Sequence, residues 1–161
     1  MVILGIDPGF DRLGCAILKK ENGKEELLFS TCLNSRRGDP HGERLLMLGK
    51  EINKIIDEYK PNWMAIEKLF FTSNQKTAIK VAESRGMLLY IAATKSLEVV
   101  EFTPLEIKMA LTGYGKAEKW QVQKMVQSIL KLNPMPKSDD EIDAIACALT
   151  VPNNPINKDI L

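Results

Sequence analysis

Val2-Ile3-Leu4-Gly5-Ile6-Asp7-Pro8-Gly9 is the stretch from which the fold can be read. Its first five residues form a short, β-branched, nearly continuous apolar run, the pattern of a central strand buried on both faces. Pro8-Gly9 then turns the chain. The strand therefore ends on a carboxylate, Asp7. A second run, Trp63-Met64-Ala65-Ile66, ends on Glu67, and a third group, Asp139-Asp140-Glu141 with Asp143, adjoins Ile142, Ala144 and Ile145. An ionised carboxylate at the edge of a core costs several kcal/mol unless it is paired or bound to a cation. Three converging sites of this kind suggest a divalent-metal cage.

Outward from these runs, Arg12 to Lys19 and Glu25 to Leu33 flank the Glu21-Asn22-Gly23 turn and predict two more strands in antiparallel hairpins. Residues 41–59 place Leu45, Leu46, Leu48, Ile52, Ile55, Ile56 and Tyr59 at helical spacing and stop before Pro61. After the Trp63–Glu67 strand, a helix over Gln75–Thr94 offers Ala78, Val81, Ala82, Leu88, Leu89 and Ala92 for packing. Val99–Phe102 gives a fifth strand. A short helix then starts at Pro104, another spans Ala117–Leu130 and a last one Asp139–Thr150. A helical crossover makes the first and fourth strands parallel neighbours, so Asp7 and Glu67 end adjacent strands at one sheet edge. The expectation is one mixed α/β domain over residues 1–150, with a five-stranded sheet flanked by helices and a loosely docked tail over 151–161.

At 161 residues and 45% hydrophobic content the chain can bury one substantial core. The N-terminal residues lack a signal-peptide pattern, and no apolar run approaches the roughly 18 residues that span a bilayer. Cys15, Cys32 and Cys147 are odd in number and far apart, which reads as buried thiols in a reducing, cytoplasmic compartment. A single histidine, His41, argues against a zinc site. The net charge of +1 argues against a general nucleic-acid binder, yet residues 68–95 carry +4 and residues 108–137 carry +5. One basic face and one acidic pocket are compatible with that segregation. Lysines exposed on helices explain it equally well.

The acids have unequal local explanations. Ser138-Asp139-Asp140-Glu141 matches a helix capping box, in which Ser138 caps and Glu141 reaches back, and acids there suit the positive helix end. Asp143 lies past the first turn, where that benefit has faded. On a helix, Asp139 and Asp140 point about 40° and about 60° to either side of Asp143, whereas Glu141 points about 160° away. Asp7 could close an Asp-Pro-Gly turn through its own backbone amides, and Glu67 could pair with Lys68. Taken together the acids suit paired Mg²⁺ or Mn²⁺, which can activate water and stabilise the departing oxygen in phosphodiester cleavage.

Four segments in order, Ile3 to Gly9, Ala65 to Phe70, Ala117 to Gln123 and Asp140 to Ala146, resemble the successive signatures of the RuvC family of Holliday-junction endonucleases. The resemblance spans residues 2 to 150. It implies an RNase H-like fold, a homodimer, divalent-metal dependence, and nicking of two strands of like polarity at a four-way DNA junction. By position, the metal carboxylates would be Asp7, Glu67, Asp140 and Asp143; some relatives carry histidine where Asp140 stands. Phe70 matches an aromatic inserted at the junction centre, with Phe71 able to trade roles, and Lys108 and Lys119 match DNA-contacting positions. Charge placement alone adds Lys116 and Lys124. The Gln75–Thr94 helix, with Ala78, Ala82 and Gly86, could pack against a second copy, although core packing explains the same pattern. The family also works with a RuvA–RuvB branch-migration complex. The competing readings are a YqgF-like nuclease acting on ribosomal RNA precursors, an actin-like nucleotide-binding protein, and a catalytically inactive junction-binding module. The stretch Ile66-Glu67-Lys68, the chain length and the four matched acids weigh against them in turn.

Overall fold

The computed structural model describes residues 1–68 and 75–153, those at 75–77 by backbone alone. Five strands, β1 (Val2–Asp7), β2 (Arg12–Glu21), β3 (Lys24–Asn34), β4 (Trp63–Glu67) and β5 (Glu98–Phe102), form one sheet in the order β3-β2-β1-β4-β5. The first three are antiparallel, and β2 joins β3 at Asn22-Gly23, where both residues have positive φ as a two-residue hairpin turn requires. β1 pairs with β4, and β4 with β5, in parallel, as the helical crossovers predict. The helices are α1 (His41–Tyr59), α2 (Gln75–Thr94), α3 (Pro104–Thr112), α4 (Lys119–Leu130) and α5 (Asp139–Thr150).

Side-chain alternation along β1 sorts the core into two layers. Leu4 and Ile6 join Leu13, Ile17, Met64 and Ile66 against Leu48, Ile52, Ile56 and Leu88 of α1 and α2. Ile3 joins Ala16, Leu18 and Ala65 against α3, α4 and α5. α5 is the central helix of the second layer, with Ala144, Ile145 and Ala148 fully buried. Among the described residues no helix is long and apolar enough to cross a membrane.

Several details depart from the sequence reading: β2 runs on to Glu21, β3 spans Lys24–Asn34, and Cys32 is half-buried where a buried thiol was expected. Leu46 is 57% exposed, and Arg44 turns inward instead, giving its Nε hydrogen to Ser35 Oγ at 2.9 Å and pairing with Asp11. Helix α4 starts at Lys119 rather than Ala117, because Gln121 Oε1 accepts the Glu118 N–H at 2.8 Å and makes Glu118 the entry residue. The fifth strand starts one residue early, at Glu98, whose N–H bonds Asn62 O.

Candidate active site

The strand period places the first two acids. Asp7 lies two residues beyond Gly5, and Glu67 two beyond Ala65, so both follow small residues on the sheet face that α5 covers. The Ile6–Ile66 pairing puts the two strand ends side by side. Gly5 lets α5 approach closely, since a Cβ there would stand 2.2 Å from Ala144 O and 2.7 Å from Ala148 Cβ. The first turns of α5 then carry Asp140 and Asp143 to the ends of β1 and β4.

Their mutual influence shows the gathering. Asp7 is pushed up to about 7, first by burial and then by the charges of Asp143, Glu67 and Asp140. Among the described residues no backbone amide of the turn donates to the Asp7 carboxylate, so the Asp-Pro-Gly turn does not explain its place. Burial and then Asp143 raise Glu67, and among the described residues no ion pair joins it to Lys68. Burial also raises Asp143, opposed by Lys119, whose Nζ lies 3.0 Å from its Oδ2.

The neighbouring acids divide by direction. Asp140 pairs with Arg12 and accepts from Ser138 Oγ at 3.2 Å. Asp139 is 63% exposed and turns to α4, where Lys119 Nζ is 3.3 Å away and Gln123 Nε2 donates at 3.1 Å. The capping-box expectation fails: Ser138 makes no side-chain cap, and Glu141 accepts from Ser30 Oγ on β3 at 2.9 Å. A tertiary partner has displaced the local one.

A cleft of about 250 Å³ adjoins the acids, lined by Glu67, Asp143, Lys108 and Lys119 with Pro104, Ile107, Val122 and Ala146. The structure thus brings two of the expected lysines to the site. Lys116 and Lys124 are exposed and do not line the cleft; Lys124 Nζ stands 5.0 Å from the centre of the Trp120 ring. Phe70 and Phe71 lie outside the described residues. Among the described residues no three acids close on one point as a finished cage, because Asp143 is turned to Lys119 and Asp140 to Arg12. The donor set is nevertheless all carboxylate, with Asp7, Glu67, Asp140 and Asp143 close enough to act on one another's charge and Lys119 beside them. That chemistry fits a hard divalent ion.

Sequence reasoning missed the residues that hold this edge in place. Ser84, fully buried on α2, donates to Gly9 O at 2.9 Å, and Arg44 donates to Phe10 O at 3.1 Å. Together they pin the turn after Asp7. At the other end of α5, buried Lys20 donates to Leu149 O and Val151 O at 2.8 and 2.7 Å. Glycine inside a strand, as at Gly5 and Gly14, was the available signal for close helix approach.

A mixed sheet in this order, with carboxylates at the ends of two parallel strands and on the helix packed over them, defines an RNase H-like domain with acids gathered at one sheet edge. The family model described as crossover junction endodeoxyribonuclease RuvC matches residues 3–151, and the chain belongs to that family. The crossover junction endodeoxyribonuclease RuvC of Finegoldia magna is 46% identical over 149 residues, 92% of this chain and 91% of that protein. Its counterpart in Halothermothrix orenii is 42% identical over 92% of this chain and 90% of the relative. Thermus thermophilus RuvC, solved in complex with a Holliday junction substrate, superposes with a TM-score of 0.89 at 32% identity, covering 93% of this chain and 92% of that one. These matches favour neither the ribosomal RNA nuclease nor the inactive binding module.

Proposed function

We infer that this chain is a structure-selective endonuclease that resolves Holliday junctions, nicking two strands of like polarity in DNA recombination and repair. One observation carries the reading: Asp7, Glu67, Asp140 and Asp143 arrive from β1, β4 and α5 at one sheet edge beside the cleft of Lys108 and Lys119. Those four carboxylates would hold divalent metal, Mg²⁺ or Mn²⁺ and two ions per site, which when bound supplies an activated water and stabilises the leaving oxygen. Burial and the acidic neighbours push Asp7 up to about 7, so a divalent ion held there would favour its ionised form.

The lysines position the DNA. Lys119, 3.0 Å from Asp143, and Lys108 across the cleft can take phosphate oxygens next to the hydrolytic acids. Lys116 and Lys124 extend the basic surface beyond the cleft and add salt-dependent affinity. Phe70 follows three residues after Glu67, close enough along the chain to stack on an unpaired base at the junction centre.

A two-fold dimer would present two such sites to two symmetry-related strands. Helix α2 supports it: Ile79 and Tyr90 are 60% and 70% exposed, and at Gly86, between them on the same face, a Cβ would meet nothing within 4 Å. Family membership further suggests a cytoplasmic enzyme that receives its junction from a RuvA–RuvB branch-migration complex. The reading is tested with a synthetic four-way junction, with and without Mg²⁺. Asp7→Asn should abolish cleavage and retain junction binding; equal cutting of linear duplex, or undiminished cutting by the variant, would overturn it.

A further inference from the structure

We propose that Gly14 is a positioning residue of the cleavage site: the row Cys32-Gly14-Asp7 across β3, β2 and β1 forms a seat that fixes how closely the first turn of α5 approaches Asp7. The inference rests on the functional reading above and concerns how the four acids acquire their spacing.

The row follows from strand register. Gly14 is paired with Asp7 on one side and with Cys32 on the other. It faces α5, since a Cβ built on it would stand 1.9 Å from Asp140 O, 2.5 Å from Asp140 C and 3.2 Å from Asp140 Cβ. Its φ is not positive, so no turn demands a glycine here. Inside a strand, glycine weakens the sheet unless another backbone must come close. The backbone that comes close is that of a proposed metal ligand.

The β3 end of the row bears on the same residue. Cys32 Sγ lies 3.5 Å from Asp140 Oδ2 as a donor, and Gly14, between Cys32 and Asp7, lies under the Asp140 backbone. Asp140 therefore rests on the Gly14 backbone, is flanked by the Cys32 thiol, and is met from the turn side by Arg12 and Ser138. Gly5 has a different part. Its contacts, Ala144 and Ala148, lie further along α5, so Gly5 sets the height of the helix body and Gly14 the height of its acidic end. A methyl group at Gly14 would drive the Asp140 backbone back by roughly an ångström, a displacement that can reduce turnover about a hundredfold when reacting groups are involved.

The experiment compares wild type with Gly14→Ala in three measurements: Mn²⁺ binding by electron paramagnetic resonance, junction binding in Ca²⁺, and junction cleavage in Mg²⁺. The expected result is junction affinity within about twofold, because the lysines are untouched, and Mn²⁺ affinity lower by about tenfold or more. Cleavage should fall about a hundredfold and recover in part at raised Mn²⁺. Unchanged Mn²⁺ affinity in a folded Gly14→Ala protein overturns the proposal, whatever the cleavage rate. Should Gly14→Ala not fold, Cys32→Val on the edge strand β3 crowds the same seat from its rim, and unchanged Mn²⁺ affinity there overturns it equally. A wild type that fails to cut a junction with Mg²⁺ sinks the functional reading itself; an active wild type matched by its variants sinks only the seat.

Discussion

The two faces of the central sheet are built from alternate residues of the same strands, yet they do different work. Toward α1 and α2, the strands offer Leu4, Ile6, Leu13, Ile17, Met64 and Ile66, bulky side chains with no exposed surface. Toward α5, the face tapers along β1 and β2. The Ile3–Leu18 pair is followed by Gly5–Ala16 and then by Asp7–Gly14. Burial of large side chains supplies the first face with most of its stabilisation, at about 1.5–3 kcal/mol for each one. The second face also covers an apolar core, but its small residues near the strand ends let a helix reach the place where the acids stand. One strand can thus serve stability on one side and geometry on the other.

That division can be broken by mutation. Ile6→Ala, on the thick face, should destabilise the protein by about 2–5 kcal/mol in urea denaturation and leave cleavage per folded molecule unchanged. A loss of turnover in the fully folded variant would show that the faces are coupled. Lys20→Met leaves two carbonyls at the end of α5 without their donor, for a loss of about 1–3 kcal/mol. Here cleavage should weaken at temperatures below the melting transition, since α5 also carries the acids; full activity would confine the clamp to stability.

Asp7 gives a smaller effect with a defined sign. Its folded pKa, about 7, exceeds the ordinary 3.8, so its contribution to the metal-free protein is complete below the ordinary value and disappears as pH rises through the folded one. Asp7→Asn should therefore match wild type near the acid end and melt about 5 °C higher at about pH 8 without metal. Melting curves that stay parallel across the range would remove burial and acid crowding as the cause. The smallest expected change belongs to the outlying lysines. Lys124→Ala should reduce the salt slope of junction binding by about one unit, with low-salt cleavage intact. A slope equal to wild type would return Lys124 to an ordinary solvated helix face.

Much of this arrangement was legible because its signals are local. Continuous apolar runs identified β1 and β4, and the crossover rule made them parallel, which already set Asp7 and Glu67 at one edge. The angular separation on α5 correctly detached Glu141 from Asp143 and left Asp139 and Asp140 on opposite sides of it. What escaped depends on residues distant in sequence. Ser30 claims Glu141 across 111 positions, so a well-formed capping motif went unused. Arg44 is buried because Asp11, Ser35 and the Phe10 carbonyl await it, and nothing in the 41–59 periodicity announces them. The seat at Gly14 needs the β1–β2 and β2–β3 registers together, which the turn lengths alone did not settle.

The chain order of the acids also governs when the site can exist. Asp7 and Glu67 belong to the first and fourth strands, whereas Asp140 and Asp143 belong to the last described helix. During synthesis the sheet can pair long before residues 139–150 emerge, yet one of its faces stays uncovered and its acids stay incomplete until α5 docks. A prematurely terminated chain ending before α5 would therefore expose an apolar face and lack two of the four proposed site acids. Assembly order places completion of the proposed site at the end of folding.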